Sequence, residues 1–112
     1  MKNKKTIRKK VKYVIAIPSY KRWNELSKKT LPTLKRNNIN KKNIYIFVAN
    51  KTEEKKYKNH LDPKTYHKII IGKKGLVQQR KFISQYFPEG KMIVSLDDDI
   101  HKILRLTKNN KL

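Results

Sequence analysis

The sequence predicts an α/β fold with a parallel sheet and right-handed crossovers. Four short apolar runs, rich in branched residues, have the length and composition of buried strands. Stretches with helical spacing or capping residues lie between these runs, so strand and helix alternate along the chain. This alternation brings the carboxyl ends of the strands to one edge of the sheet, where open α/β sheets bind their ligands.

The first predicted strand, Val11–Ile17, is almost continuously apolar, as expected for a central parallel strand. Pro18 ends it. A polar loop then leads into a helix that begins near Trp23 and ends at Asn37–Asn38, with Thr30 placed to cap its second part.

The remaining strands are expected at Asn43–Ala49, His67–Ile71 and Met92–Leu96. A short helix, Glu53–His60, follows the second strand and should carry Glu53 and Glu54 on exposed faces. The clearest helical pattern is Gly75–Phe87, which lies between the third and fourth strands.

One arginine interrupts the apolar stripe of that last helix. Leu76, Ile83 and Phe87 share the stripe, with Tyr86 at its edge, and Arg80 falls inside it. Burial of an unpaired charge is costly, so Arg80 is expected to meet an anion. Either a ligand phosphate or a plain ion pair with an aspartate satisfies this need.

The fourth strand leads directly into adjacent carboxylates, Asp97, Asp98 and Asp99, in a chain with only 8 acidic residues. Clustered carboxylates repel one another and require a cation or a proton. Mg²⁺ and Mn²⁺ prefer oxygen ligands, and Mg²⁺ often combines one or two carboxylates with substrate phosphates. The triplet is therefore expected to hold such a metal against a diphosphate, or else to form a solvated acidic turn. A two-metal hydrolase or nuclease ranks lowest, because no second acidic cluster is present.

The chain carries 30 Lys and Arg residues and a formal net charge of +22, which favours polyanionic partners such as nucleic acid. The excess is mostly lysine and is spread along the chain, as a compositional bias of an A/T-rich genome would also produce. No zinc-finger, RNP or helix-turn-helix signature accompanies the charge. A small, basic, non-catalytic nucleic-acid-binding protein is the alternative function.

The length of 112 residues suits one small domain. We expect a basic arm over residues 1–10, the folded unit over residues 11–106 and a polar tail over residues 107–112. The absence of cysteine excludes disulfides and thiolate metal sites. No apolar stretch has the length of a membrane span or a signal peptide, so an intracellular, cytoplasmic protein is expected.

Three segments, taken in order and spacing, resemble the N-terminal, nucleotide-binding half of a family 2-like GT-A glycosyltransferase. They are Val14–Arg22, Gly75–Arg80 and Leu96–Asp99, and the last is similar to the DxD-type motif of that family. The resemblance covers about residues 11–104 and implies an incomplete, Rossmann-like GT-A half. The chain is also similar to GT-A domains of large DNA viruses and phages, which would place it in the host cytoplasm.

The resemblance implies binding of a nucleotide-diphosphate sugar, with UDP or GDP as the nucleotide. Pro18, Ser19 and Tyr20 would line the nucleotide pocket, with Tyr20 packed on the base. Arg22 would lie beside the nucleotide, and Arg80 would approach the diphosphate or the acidic residue of the base pocket. The metal and these cations would neutralise the charge that develops on the leaving diphosphate.

The acidic residues receive their roles in the same way. Asp97 would face the ribose side, Asp99 would hold the divalent metal, and Asp98 would share either task. The expected ligands of Mn²⁺ or Mg²⁺ are Asp97 and Asp99. The family often carries an acidic residue after the second strand, and Asn50 stands there in this chain. Asn50 is included in the nucleotide-sugar site as an uncharged hydrogen-bonding residue.

Two further features bear on activity. The loop Gly72–Gly75 is unusually basic and lies either near a phosphate or in solvent. The chain ends about a dozen residues after Asp99, whereas a GT-A domain continues into an acceptor half with the catalytic base. No residue is assigned as that base, enzymatic turnover by this chain alone is left open, and a second polypeptide is expected to supply the acceptor half.

Overall fold

The computed structural model describes residues 13–100 of the chain. Within them, a parallel sheet contains β1 (Tyr13–Pro18), β2 (Ile44–Val48), β3 (Lys68–Ile71) and β4 (Met92–Ser95). The strand order is β3-β2-β1-β4, and every neighbouring pair is parallel. The predicted α/β class and the parallel sheet are confirmed.

Helical segments connect the strands near their predicted positions. We call the first connection α1; it is α-helical over Trp23–Glu25, π-helical over Leu26–Thr30 and α-helical again over Leu31–Arg36. The helices α2 (Lys51–His60) and α3 (Leu76–Tyr86) follow β2 and β3. Short 3₁₀ turns occupy Lys41–Asn43 and Pro63–Thr65. The basic arm, the polar tail and both ends of the folded unit expected over residues 11–106 lie outside the described residues.

The sheet is covered on both faces because successive side chains of a strand point to opposite sides. Ile15 and Ile17 of β1 face the larger core, which α1 and α2 complete with Leu26, Leu31, Leu34 and Tyr57. Val14 and Ala16 face the smaller core, which α3 and the residue after it complete with Ile83 and Phe87. Helices α1 and α2 therefore lie on one face of the sheet, and α3 lies on the other.

This arrangement creates a switch point in the order of the strands. The chain moves outward from β1 to β2 and β3, and then returns to place β4 on the other side of β1. The reversal lies between β1 and β4, and open α/β sheets bind their ligands at the carboxyl ends of the strands that flank such a point.

The predicted apolar stripe of the last helix is confirmed at Ile83 and Phe87, which are buried, and is wrong in the first turns of α3. Gln79 is buried and Arg80 is exposed, and the side chain of Leu76 is 56% exposed at the start of the helix. An amide can be buried without a counter-ion when backbone groups satisfy it, whereas a guanidinium cannot. The amide of Gln79 finds such partners in the N–H of Lys73 and the carbonyl of Val48.

Two other local expectations are corrected. Thr30 does not cap a helix; it lies in the π-helical part of α1 and its side chain makes no capping bond. Glu53 is buried rather than exposed, with 3% of its surface accessible. Both side chains are used to bind loops at the carboxyl edge of the sheet, which sequence periodicity does not reveal.

Candidate functional site

A cleft of about 530 Å³ lies at the switch point, between the loop after β1 and the loop after β4. Its walls also include the end of β2, the loop Lys73–Gly75 and the first turns of α3. Most of the residues predicted for the site line this cleft: Pro18, Ser19, Tyr20, Arg22, Asp97, Asp98 and Asp99.

Two of the predicted residues do not line the cleft. Asn50 caps α2, because its side-chain oxygen accepts a 2.9 Å hydrogen bond from the N–H of Glu53. Arg80 is exposed on α3 and takes part in none of the ion pairs seen within residues 13–100. The predicted anionic partner of Arg80 is therefore not found in this part of the chain.

Asp98 is the most deeply buried member of the acidic triplet, at 8% exposure. Its Oδ2 accepts a 2.7 Å hydrogen bond from the hydroxyl of Ser19, and its Oδ1 accepts one of 3.0 Å from Nε of Arg22. Both carboxylate oxygens thus have protein partners. The hydrogen bond to Asp98 is also the main reason that the pKa of Arg22 is raised above its ordinary value.

Tyr57 of α2 closes this network into a ring. Its hydroxyl lies 2.6 Å from the Ser19 hydroxyl and accepts a 3.1 Å bond from the backbone N–H of Arg22. Because Ser19 gives its proton to Asp98, Tyr57 must donate to Ser19. The bonds therefore run from the Arg22 N–H through Tyr57 and Ser19 to Asp98, and the Arg22 side chain completes the circle.

The other two carboxylates of the triplet face solvent. Asp97 and Asp99 are both exposed, and Asp99 makes only a long 3.4 Å contact with a guanidinium nitrogen of Arg22. Among residues 13–100, no group of three or more His, Asp or Glu side chains is arranged to hold a metal ion. The triplet is therefore divided into a buried anchor, Asp98, and two exposed flanking groups.

The loop after β4 is fastened to α1 by Thr30. The Thr30 hydroxyl donates a 2.8 Å hydrogen bond to the carbonyl of Asp97 and accepts one of 2.8 Å from the N–H of Ile100. Thr33 donates to the Ile100 carbonyl at 3.0 Å. These contacts fix both ends of the segment that carries the acidic triplet.

The loop after β1 is held by a second buried carboxylate. Glu53 accepts a 2.8 Å hydrogen bond from the N–H of Lys21, whose φ of 53° lies in the left-handed region. A residue other than glycine rarely adopts this conformation without local support. The turn that Glu53 stabilises leaves Tyr20 exposed, with 40% of the surface of the residue accessible.

Cations surround the ring of Tyr20. The ammonium nitrogen of Lys21 lies 5.3 Å from the ring centroid, and that of Lys74 lies 5.6 Å from it. Lys73 also lines the cleft, from the same loop as Lys74. The cleft therefore combines an exposed aromatic ring with positive charge on one side and carboxylates on the other.

Sequence reasoning missed Gln79, which lines the cleft and ties the loop after β3 to β2. Gly72 packs directly against the Gln79 side chain and leaves no room for a methyl group, which would also lie 2.8 Å from the Phe82 ring. The small residue seven positions before Gln79 was a usable signal, because glycine often marks a close approach of another chain segment.

Comparisons with protein-family models, with curated proteins and with solved structures give no match to this chain. Within residues 13–100, none of the helices is long and apolar enough to cross a bilayer.

Proposed function

We propose that this chain is the nucleotide-sugar-binding half of a GT-A-like glycosyltransferase and that the cleft holds a nucleoside diphosphate sugar. The observation that carries the proposal is the composition of one cleft at the switch point, where Tyr20, Lys74 and Asp97 all line the same cavity. An aromatic surface suits a base, ammonium groups suit a diphosphate, and carboxylates suit a divalent metal.

Size and position support this function. The cavity of about 530 Å³ falls within the range usual for sites that enclose a small molecule. Open α/β sheets with a switch point bind nucleotides in the crevice at that point. Tyr20 would pack on the base, and Lys73 and Lys74 would neutralise the diphosphate.

The hydrogen bonds of the acidic triplet restrict which carboxylates could bind a metal ion. Asp98 has no carboxylate oxygen free of a protein partner, so Asp97 and Asp99 are the side chains that would hold Mn²⁺ or Mg²⁺. Two carboxylates match what Mg²⁺ commonly takes from a protein when substrate phosphates supply further ligands. The residues therefore fit a metal that binds together with the diphosphate rather than before it, and such a metal would offset negative charge on the leaving group.

Ser19, Arg22 and Asp98 then receive a supporting role. Their mutual hydrogen bonds join the loop after β1 to the loop after β4, and both loops line the cleft. The ring of bonds keeps Tyr20 and the exposed carboxylates at a fixed separation, as a site that must be preorganised requires.

The test is isothermal titration calorimetry with UDP-glucose and GDP-mannose, each with and without Mn²⁺. We expect binding of at least one of them that depends on the metal, and little heat from Mn²⁺ alone. A folded sample that shows no metal-dependent binding of either compound would overturn the proposal.

Matched variants sharpen this experiment. Lys74→Gln removes one ammonium group from the cleft, and Lys55→Gln removes one from the exposed face of α2. A charged hydrogen bond to phosphate contributes about 1.5–3 kcal/mol, so we expect Lys74→Gln to weaken binding about tenfold or more. Equal affinities for the two variants would show that the diphosphate does not lie beside Lys74.

A further inference from the structure

A second hollow of about 300 Å³ lies beside the cleft, between the loop after β3 and the outer side of α3. Lys73 and Lys74 line both hollows, so these lysines form the ridge between them. We call the second hollow the basic groove; its lining residues are Lys73, Lys74, Gln78, Lys81, Phe82 and Gln85.

The side chains that line the basic groove are positive or neutral. Its lining contains three lysines and no carboxylate. None of these lysines takes part in the ion pairs found within residues 13–100. Gln78 and Gln85 add neutral amides that both donate and accept hydrogen bonds. A ligand for this surface therefore needs several negative charges and uncharged polar groups between them.

Aromatic rings lie beside the lysines on this side of the molecule. Phe82 forms the apolar part of the groove and packs against Tyr86, with ring centroids 5.9 Å apart. Tyr86 is 42% exposed, and Tyr20, which lies across the ridge, is 40% exposed. Sites for single-stranded nucleic acid combine a positive groove for the backbone with aromatic faces on which bases stack.

We propose that the basic groove binds single-stranded nucleic acid, with the backbone phosphates on Lys73, Lys74 and Lys81 and a base on Tyr86. A concave surface suits a single strand, because proteins read a duplex with an element that projects into its groove. The strand then passes over the ridge toward the cleft, which makes it the acceptor side of the transferase. This last step rests on the proposed function, whereas strand binding does not.

The experiment measures fluorescence anisotropy of a labelled oligothymidylate of twelve nucleotides across a range of salt concentrations, using the full chain. With three phosphates neutralised, log K should fall with log salt at a slope of about −2. Lys81→Gln, which changes the groove and not the cleft, should reduce the magnitude of the slope by about 0.7 and weaken binding. Lys55→Gln has the same net charge and lies on the other face of the sheet, so it should leave the slope unchanged.

The possible results distinguish nucleic-acid binding in the groove from nucleotide-sugar binding in the cleft. If Lys81→Gln and Lys55→Gln lose the same affinity for the oligonucleotide, the attraction is diffuse and not specific to the groove, and the proposal is overturned. Duplex of the same length that binds as tightly as the single strand would also overturn it. Oligonucleotide binding without nucleotide-sugar binding would support the groove and remove the proposed function, and the reverse result would remove the groove alone.

Discussion

The hydroxyl of Ser19 donates a 2.7 Å hydrogen bond to Oδ2 of Asp98, although these residues are 79 positions apart in the sequence. Both residues are buried, and the bond joins the loops that leave β1 and β4. A carboxylate in the centre of an acidic triplet is thus used to hold the cleft together, and its neighbours are left for a ligand.

This division predicts that substitutions of Asp98 and Asp97 have different effects, the first on stability and the second on ligand binding. Asp98→Asn replaces one acceptor oxygen by an amide group that cannot accept the bonds of Ser19 or Arg22. We expect a loss of about 1–3 kcal/mol in the free energy of unfolding, measured by urea denaturation. The loss stays below that of a fully buried pair because the Arg22 side chain is 47% exposed.

The matched control is Asp97→Asn, which changes an exposed carboxylate. It should leave the unfolding free energy within about 0.5 kcal/mol of the original. It should instead reduce the metal-dependent part of nucleotide-sugar binding. Equal destabilisation by both variants would contradict the separate roles.

The buried phenol of Tyr57 predicts that the stability of the fold decreases at alkaline pH. Burial raises the pKa of the Tyr57 phenol above its ordinary value of 10.0. Above pH 10 the unfolded chain releases this proton while the folded chain still holds it, so the folded state binds more protons and loses stability as pH rises. Below pH 10 this contribution is fully present.

The measurement compares the original chain with Tyr57→Phe by denaturation at pH 8 and at pH 10 to 11. Loss of the hydroxyl leaves the Arg22 N–H without its acceptor and removes the bond that the Ser19 hydroxyl accepts, so the variant should be less stable at pH 8, by about 1–3 kcal/mol. The difference in unfolding free energy between the two proteins should narrow above pH 10, since phenylalanine does not titrate. Lysine deprotonation affects both proteins alike, so a gap that stays constant would contradict the prediction.

Thr30 offers a test of the loop that carries the triplet. Thr30→Val keeps the shape of the side chain but leaves the Asp97 carbonyl and the Ile100 N–H without their partner. We expect a loss of about 1–3 kcal/mol in the unfolding free energy, together with weaker nucleotide-sugar binding. Thr30→Ser keeps the hydroxyl and should keep the binding, although the lost methyl group lowers stability. A Thr30→Val variant with unchanged stability would show that these bonds contribute nothing.

Gly72 predicts a steric effect on the opposite wall of the cleft. A methyl group added by Gly72→Ala would meet the amide of Gln79 and the ring of Phe82. Overpacking of this kind costs about 1–3 kcal/mol, which urea denaturation would detect. Gly90→Ala is a useful comparison, because its φ of 91° is strained for alanine while the space around it is empty. A smaller cost of Gly72→Ala in a Gln79→Ala background than in the original chain would confirm the cause.

The sequence by itself determined the parallel sheet, the positions of its strands and the gathering of residues at one edge. These features follow from local apolar runs and from strand–helix alternation, which a chain with short connections can satisfy in few ways. Pro18, Ser19, Tyr20 and Arg22 therefore line the same cleft as Asp97–Asp99.

Only the tertiary structure decided which polar side chains are buried and with whom they pair. Asp97, Asp98 and Asp99 are identical as residues, yet the one that meets Ser19 and Arg22 becomes the anchor. Gln79 is buried in place of Arg80, and Glu53 turns inward to support Lys21, because backbone groups of distant segments satisfy them. Such partners come from loops remote in sequence, and periodicity along one helix carries no information about them.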